Sequence, residues 1–157
     1  MAFASPEDKF GIKIQSRRAP RTLDQNFSLI AGLVYVTIGV IGFLYTGFGN
    51  FTEVTDDALF GIFLVNPFHN IVHIGLGAFW LLGAFALTPA GNQGLNIAIG
   101  GFYVLAALLG FLGYLSLISV PAGFDADNFL HLLSGLPALI FGSGLLSGQG
   151  DRQAVAA

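Results

Sequence analysis

Five residues of this chain have types and spacing that can do chemistry: His69, Asn70, His73, Asn128 and His131. Asn70 and His73 are three residues apart, as are Asn128 and His131, so on a helix each pair shares a face. His69 and His73 are four apart and fall on neighbouring turns. Three readings fit this pattern. The first is a hydrogen-bonded clamp, histidine to asparagine across two helices. The second is tetrapyrrole ligation. His73 and His131 on facing helices can bind a haem iron axially, and a lone histidine can hold the magnesium of chlorophyll. The third is a metal site of His69, His73 and His131 completed by Asp57 or Asp127. A close pair of histidines can also sense pH. The clamp is the expectation here, with no metal assigned, and the five residues are the candidate cofactor-binding set.

Other chemistry is poorly served. The chain has no cysteine, so thiolate metal sites, iron–sulfur clusters and thiol nucleophiles are excluded. No nucleophile–base pair, phosphate loop or pair of catalytic carboxylates stands out. Asp56 and Asp57 are adjacent acids in a loop, where solvation is the usual state. A non-enzymatic protein is therefore expected, with no catalytic residues.

The elements that must position these side chains are membrane helices. Of 157 residues, 54% are apolar and 10% are charged, against about 25% charged in a soluble domain. Mean hydropathy is +0.75. A chain with net charge −3 lacks the basic field a nucleic-acid binder needs. Four apolar runs, at about 27–48, 67–87, 95–118 and 128–146, approach the ~20 residues needed to cross a bilayer. None holds Asp, Glu, Lys or Arg. Backbone polar groups in hydrocarbon must pair internally, which makes these runs helices. The breaks carry turn residues: Gly49-Asn50 onward, Thr88-Pro89-Ala90-Gly91-Asn92, and Pro121-Ala122-Gly123 onward.

The expected architecture is all-α: four transmembrane helices forming two tandem hairpins in a four-helix bundle. A polar tail, 1–26, precedes this membrane domain, 27–146, and a short tail, 147–157, follows it. Residues 1–26 lack the apolar core of a signal peptide and read as a retained tail. Five of the six basic residues, Lys9, Lys13, Arg17, Arg18 and Arg21, precede the first span, and Arg152 follows the fourth. The positive-inside rule puts both termini in the cytoplasm, and the loops with Glu53, Asp56, Asp57, Asp125 and Asp127 outside. Tyr45 and Tyr114 then fall at the outer interface, while Trp80 lies deeper.

The chain also repeats itself. A shift of 68 carries Gly32, Tyr35, Val36, Gly42, Phe43 and Leu44 onto Gly100, Tyr103, Val104, Gly110, Phe111 and Leu112. A shift of 58 carries Asn70, His73, Gly77 and Leu81 onto Asn128, His131, Gly135 and Leu139. Two hairpins of one orientation are expected about a pseudo-twofold along the membrane normal. That axis would bring Asn70 and His73 towards Asn128 and His131. Glycines seven apart, Gly32 with Gly39 and Gly135 with Gly142, suit close helix packing.

The run His69-Asn70-Ile71-Val72-His73, then Gly100-Gly101-Phe102-Tyr103, then Asp127-Asn128-Phe129-Leu130-His131 resembles a bacterial family of small four-helix membrane proteins. That family is catalogued as a domain of unknown function and occurs in actinobacteria and cyanobacteria. The resemblance covers about residues 27–146. It implies four spans and a polar patch of the same five residues, and it brings no activity. The basic tail and the Asn66-Pro67 lead into the second span depart from it. The combined expectation is a multi-pass protein of the bacterial inner or thylakoid membrane. It would serve as an accessory subunit of a larger respiratory or photosynthetic complex. Its partners would be the lipid bilayer and that complex, met through the basic tail and the helix faces. The alternative is a pigment or redox carrier holding chlorophyll or haem on His73 and His131.

Overall fold

The computed structural model describes residues 20–56 and 58–156. Lys9, Lys13, Arg17, Arg18 and Asp57, on which parts of the topology and metal readings rest, lie outside the described residues. Four long helices carry the fold: α1 (Leu23–Thr46), α2 (Pro67–Ala86), α3 (Pro89–Phe111) and α4 (Ala126–Gly142). A short α5 (Gln149–Ala156) follows. The first long loop contains strands β1 (Ala58–Leu59) and β2 (Phe63–Leu64), paired antiparallel, an addition to the expected all-helical fold. A 3-10 turn, Ser116–Ile118, lies in the second.

Each long helix begins where a side chain can accept an orphan backbone N–H. Thr22 and Gln25 form a reciprocal capping box at α1, with bonds of 3.3 and 3.1 Å. Asn66 caps α2 by accepting from the His69 amide at 2.9 Å, with Pro67 at the first helical position. Thr88 caps α3 and Asp125 caps α4. Helices α1, α2 and α3 are long and apolar enough to cross a membrane. The fourth expected span is shorter as a helix: α4 has 17 residues, or about 26 Å at 1.5 Å per residue. Glycine with a positive φ, Gly144, ends its last turn. The α3 helix starts six residues earlier than expected and ends at Phe111, because Thr88-Pro89 is a helix start and the polar Asn92, Gln93 and Asn96 are helical.

The helices pair as two hairpins, α1 with α2 and α3 with α4, and the hairpins touch each other more sparingly. Several of their internal contacts match between the hairpins. A Cβ on Gly32 would meet the Gly77 carbonyl oxygen at 2.8 Å, and one on Gly100 would meet that of Gly135 at 2.9 Å. The amide oxygen of Asn70 stands 2.0 Å from where a Gly42 Cβ would be; that of Asn128 stands 1.8 Å from the Gly110 position. Equivalent residues also meet each other between the hairpins, as a two-fold relation requires. Tyr35 lies 5.4 Å from Tyr103, ring centre to ring centre. Ser28, whose counterpart at a shift of 68 is Asn96, bonds to it at 3.0 Å. Trp80 stacks on Tyr103 at 5.8 Å and packs against Tyr35 at 5.0 Å. The counterpart of Trp80 at a shift of 58 is Ala138, buried in the same cluster.

A methyl group at Gly110 must displace the Asn128 amide, whereas Gly101 opens onto free space. Gly110→Ala is therefore expected to cost about 1–3 kcal/mol. Gly101→Ala should stay within about 1 kcal/mol of the parent. Thermal unfolding in detergent distinguishes the two.

Candidate functional site

The bundle has a polar interior at both ends. At the end carrying the two long loops, His69 and His73 project from α2 and His131 from α4 into the space between those helices. Their surface exposures are 0, 4 and 3%. One ring nitrogen from each lies within 4.8 Å of the other two. The His69 ring lies 4.4 Å from that of His73 and 6.0 Å from that of His131, centre to centre. A cavity of about 210 Å³ adjoins them, walled mainly by Phe68, Val72, Phe102, Tyr103, Ala106, Leu115 and Ile118. Each hairpin contributes an equivalent pair: Tyr35 packs on His73 at 5.2 Å, and Tyr103 on His131 at 5.8 Å. The Tyr35 hydroxyl bonds to Ser134, while the counterpart of Ser134 is Leu76. The Tyr103 hydroxyl lies beside that of Tyr35 without a well-formed hydrogen bond.

Loop residues close this end. Asn66 donates from its amide to the carbonyls of Glu53 at 3.0 Å and Leu117 at 2.9 Å, so one side chain ties both loops to the start of α2. The Ser119 hydroxyl accepts from the Thr55 amide at 3.0 Å. The backbones of Leu64 and Ile118 approach His69. Even so, neither ring nitrogen of His69 makes a well-formed hydrogen bond, nor does Nδ1 of His73 or of His131. Leaving one such buried group unpaired costs about 1–3 kcal/mol.

The two asparagines are elsewhere. The Asn70 amide donates to the Thr46 hydroxyl at 3.0 Å, and the Asn128 amide donates to the carbonyls of Pro121 and Gly123 at 3.0 and 2.8 Å. Each asparagine thus fastens its own hairpin beside a glycine, and the His-to-Asn bonds of a clamp are not formed among the described residues. Asp127, one turn before His131, is buried with Oδ2 unpartnered, and stands outside the triad of nitrogens.

A family model for a domain of unknown function (DUF4383) matches residues 25–144. The chain belongs to this family. No curated protein and no solved structure matches it. The matched stretch contains all three histidines, both asparagines and nearly the whole of the four long helices.

A tetrapyrrole does not fit between His73 and His131. The cavity, about 210 Å³, falls below the roughly 300–1,000 Å³ of small-molecule pockets. All three imidazoles face inward, so none reaches a ring packed on the outside of the bundle. Three nitrogens in a triangle are instead the donor geometry of a single small ion.

The polar cluster at the opposite end was not singled out from the sequence. Ser28 shares its hydroxyl proton among the Asp24 carbonyl, Asn92 and Asn96 at 3.1, 2.8 and 3.0 Å. Trp80 donates from its indole to Asn96 at 2.9 Å. Gln93 and Ser147 donate to the Asp24 carboxylate at 2.5 and 3.2 Å. Spacing would have revealed it: Ser28 and Asn96, and Asp24 and Asn92, are repeat counterparts at the same shift of 68. Asn96→Leu removes the acceptor of the chain's one tryptophan. The expected result is a loss of about 1–3 kcal/mol and a shift of tryptophan emission to shorter wavelength, read on the purified protein.

Proposed function

We propose that this protein is a non-enzymatic, four-span subunit that packs laterally within a larger membrane complex, respiratory or photosynthetic. Both termini lie in the cytoplasm of a bacterial cell, in its inner or thylakoid membrane. The observation that carries the reading is the sidedness of every long helix. Ile30 and Leu33 on α1, Phe79 and Phe85 on α2, Leu105 and Leu108 on α3, and Leu133 and Leu136 on α4 are exposed. On the same helices Ser28, Asn70, His73, Asn96, Asn128 and His131 are buried. A surface of this kind suits lipid chains and the apolar flanks of neighbouring helices, and water poorly. Counting the last turn, residues 143–146, α4 reaches the length of a span with some local bilayer thinning. Arg21 and Arg152 stand at the end of the bundle where α1 begins and α4 ends, which supports a cytoplasmic placement of that end. A cavity walled by aliphatic and aromatic side chains, with imidazoles and a tyrosine as its polar groups, supports binding over catalysis.

The absence of cysteine makes the topology directly testable. Gly49→Cys in the first loop and Gly150→Cys in α5 introduce lone thiols at open positions. In intact cells stripped of any outer membrane barrier, an impermeant maleimide should label Gly49→Cys and leave Gly150→Cys unlabelled until the cells are opened. The reverse pattern overturns the orientation. Partner association is tested by removing residues 2–19, which keeps the Thr22 cap and the Asp24 cluster. The shortened chain should fold normally and lose most of the larger partner from a native purification. Unchanged co-purification removes the support for docking through the tail.

A further inference from the structure

We propose that His69, His73 and His131 bind one divalent transition-metal ion, of the class that imidazole favours, and that the ion fastens the second hairpin to the first. Three observations point to this independently. One ring nitrogen from each of the three lies within 4.8 Å of the other two. Each of the three histidines keeps at least one buried ring nitrogen without a well-formed hydrogen bond. The third histidine breaks the internal repeat: the counterpart of His69 at a shift of 58 is Asp127. A duplicated hairpin by itself supplies a pair of imidazoles, and His69 turns that pair into the three-nitrogen face of a tetrahedral site.

The geometry is near what such an ion needs. Ligands at about 2.0–2.1 Å from zinc place neighbouring nitrogens about 3.3 Å apart. Each imidazole therefore has to move inward by less than about 1 Å. The helices that carry them, α2 and α4, pack against α1 and α3 and scarcely against each other. The cavity beside the triad leaves room for a fourth ligand such as water. An all-nitrogen set selects zinc, copper or nickel over calcium or magnesium, which require oxygen.

Outer partners are in place as well. Metal-bound histidines usually direct their second nitrogen to a carbonyl or carboxylate. The backbones of Leu64 and Ile118 stand beside His69. A doubly charged ion in an apolar setting also requires countercharge nearby. Asp127 lies on the His131 face of α4, one turn away, with a buried oxygen that has no hydrogen bond. Because His69 and His73 belong to one hairpin and His131 to the other, the bound ion becomes a bolt between the two halves.

The test uses the full chain purified in detergent, stripped with a chelator and titrated with cobalt(II), then with zinc(II) in competition. One cobalt per chain should bind, with the intense visible bands of tetrahedral coordination, and stoichiometric zinc should bleach them. His73→Ala and His131→Ala should each weaken binding by more than about 100-fold, since even outer partners are worth 10–100-fold. His131→Gln and His69→Gln, closer in size, provide the same comparison should an alanine variant fail to fold. Trp80 emission confirms folding in every case. A folded parent that gives no tetrahedral spectrum overturns the proposal. So does binding that all the histidine variants retain. Neither outcome touches the maleimide labelling pattern, so the topology stands or falls separately.

Discussion

A helix in lipid gains nothing by hiding leucine against leucine, so what holds this bundle together is the closeness of its backbones and the lack of any other home for its polar side chains. Gly32 against Gly77, and Gly100 against Gly135, bring the two helices of each hairpin near enough that no side-chain carbon fits between them. Dispersion contact over such an approach is the main attraction available. Everything else is arranged around those two crossings. The asparagine amides fill the notches left by Gly42 and Gly110, and the tyrosines project from the same helices towards the centre.

The joint between hairpins is of a different nature. It consists of rings in the middle and hydrogen bonds at one end, with a cavity at the other. Tyr35, Trp80 and Tyr103 form a continuous aromatic contact from α1 through α2 to α3. Ser28, Asn92 and Asn96 join α1 to α3 near the first turns of both helices. At the loop end the three histidines cluster beside a cavity, covered by loops that Asn66 draws together. Rigid packing grades along the bundle into a region with room for something small.

Much of this was readable beforehand, and the shortfalls have definite causes. Helix number, pairing and repeat follow from apolar runs of membrane length and from glycines that recur with fixed partners. Tyr35 with Tyr103 and His73 with His131 needed only the shift. The helix edges were harder. Asn92, Gln93 and Asn96 look like turn residues until the capping role of Thr88 is recognised. The Thr22-to-Gln25 capping box likewise marks a start before residue 27. The asparagines misled because spacing along a helix gives a shared sector but not the partner within it. A glycine notch on the adjoining helix captured each amide before any histidine did. The loops were illegible because Asn66 and Ser119 act through contacts far off in the chain.

The exchange of Trp80 for Ala138 at equivalent places has a consequence for how such a chain came to be. Two copies of an ancestral hairpin would have faced each other with the same residue at this place. The present core admits one indole and one methyl group, and both are buried. Two copies of the first hairpin would press two indoles into the room of one, and two copies of the second would leave a void. The halves have become a lock and key for each other, and the linker between them now joins pieces that can no longer serve as their own mates.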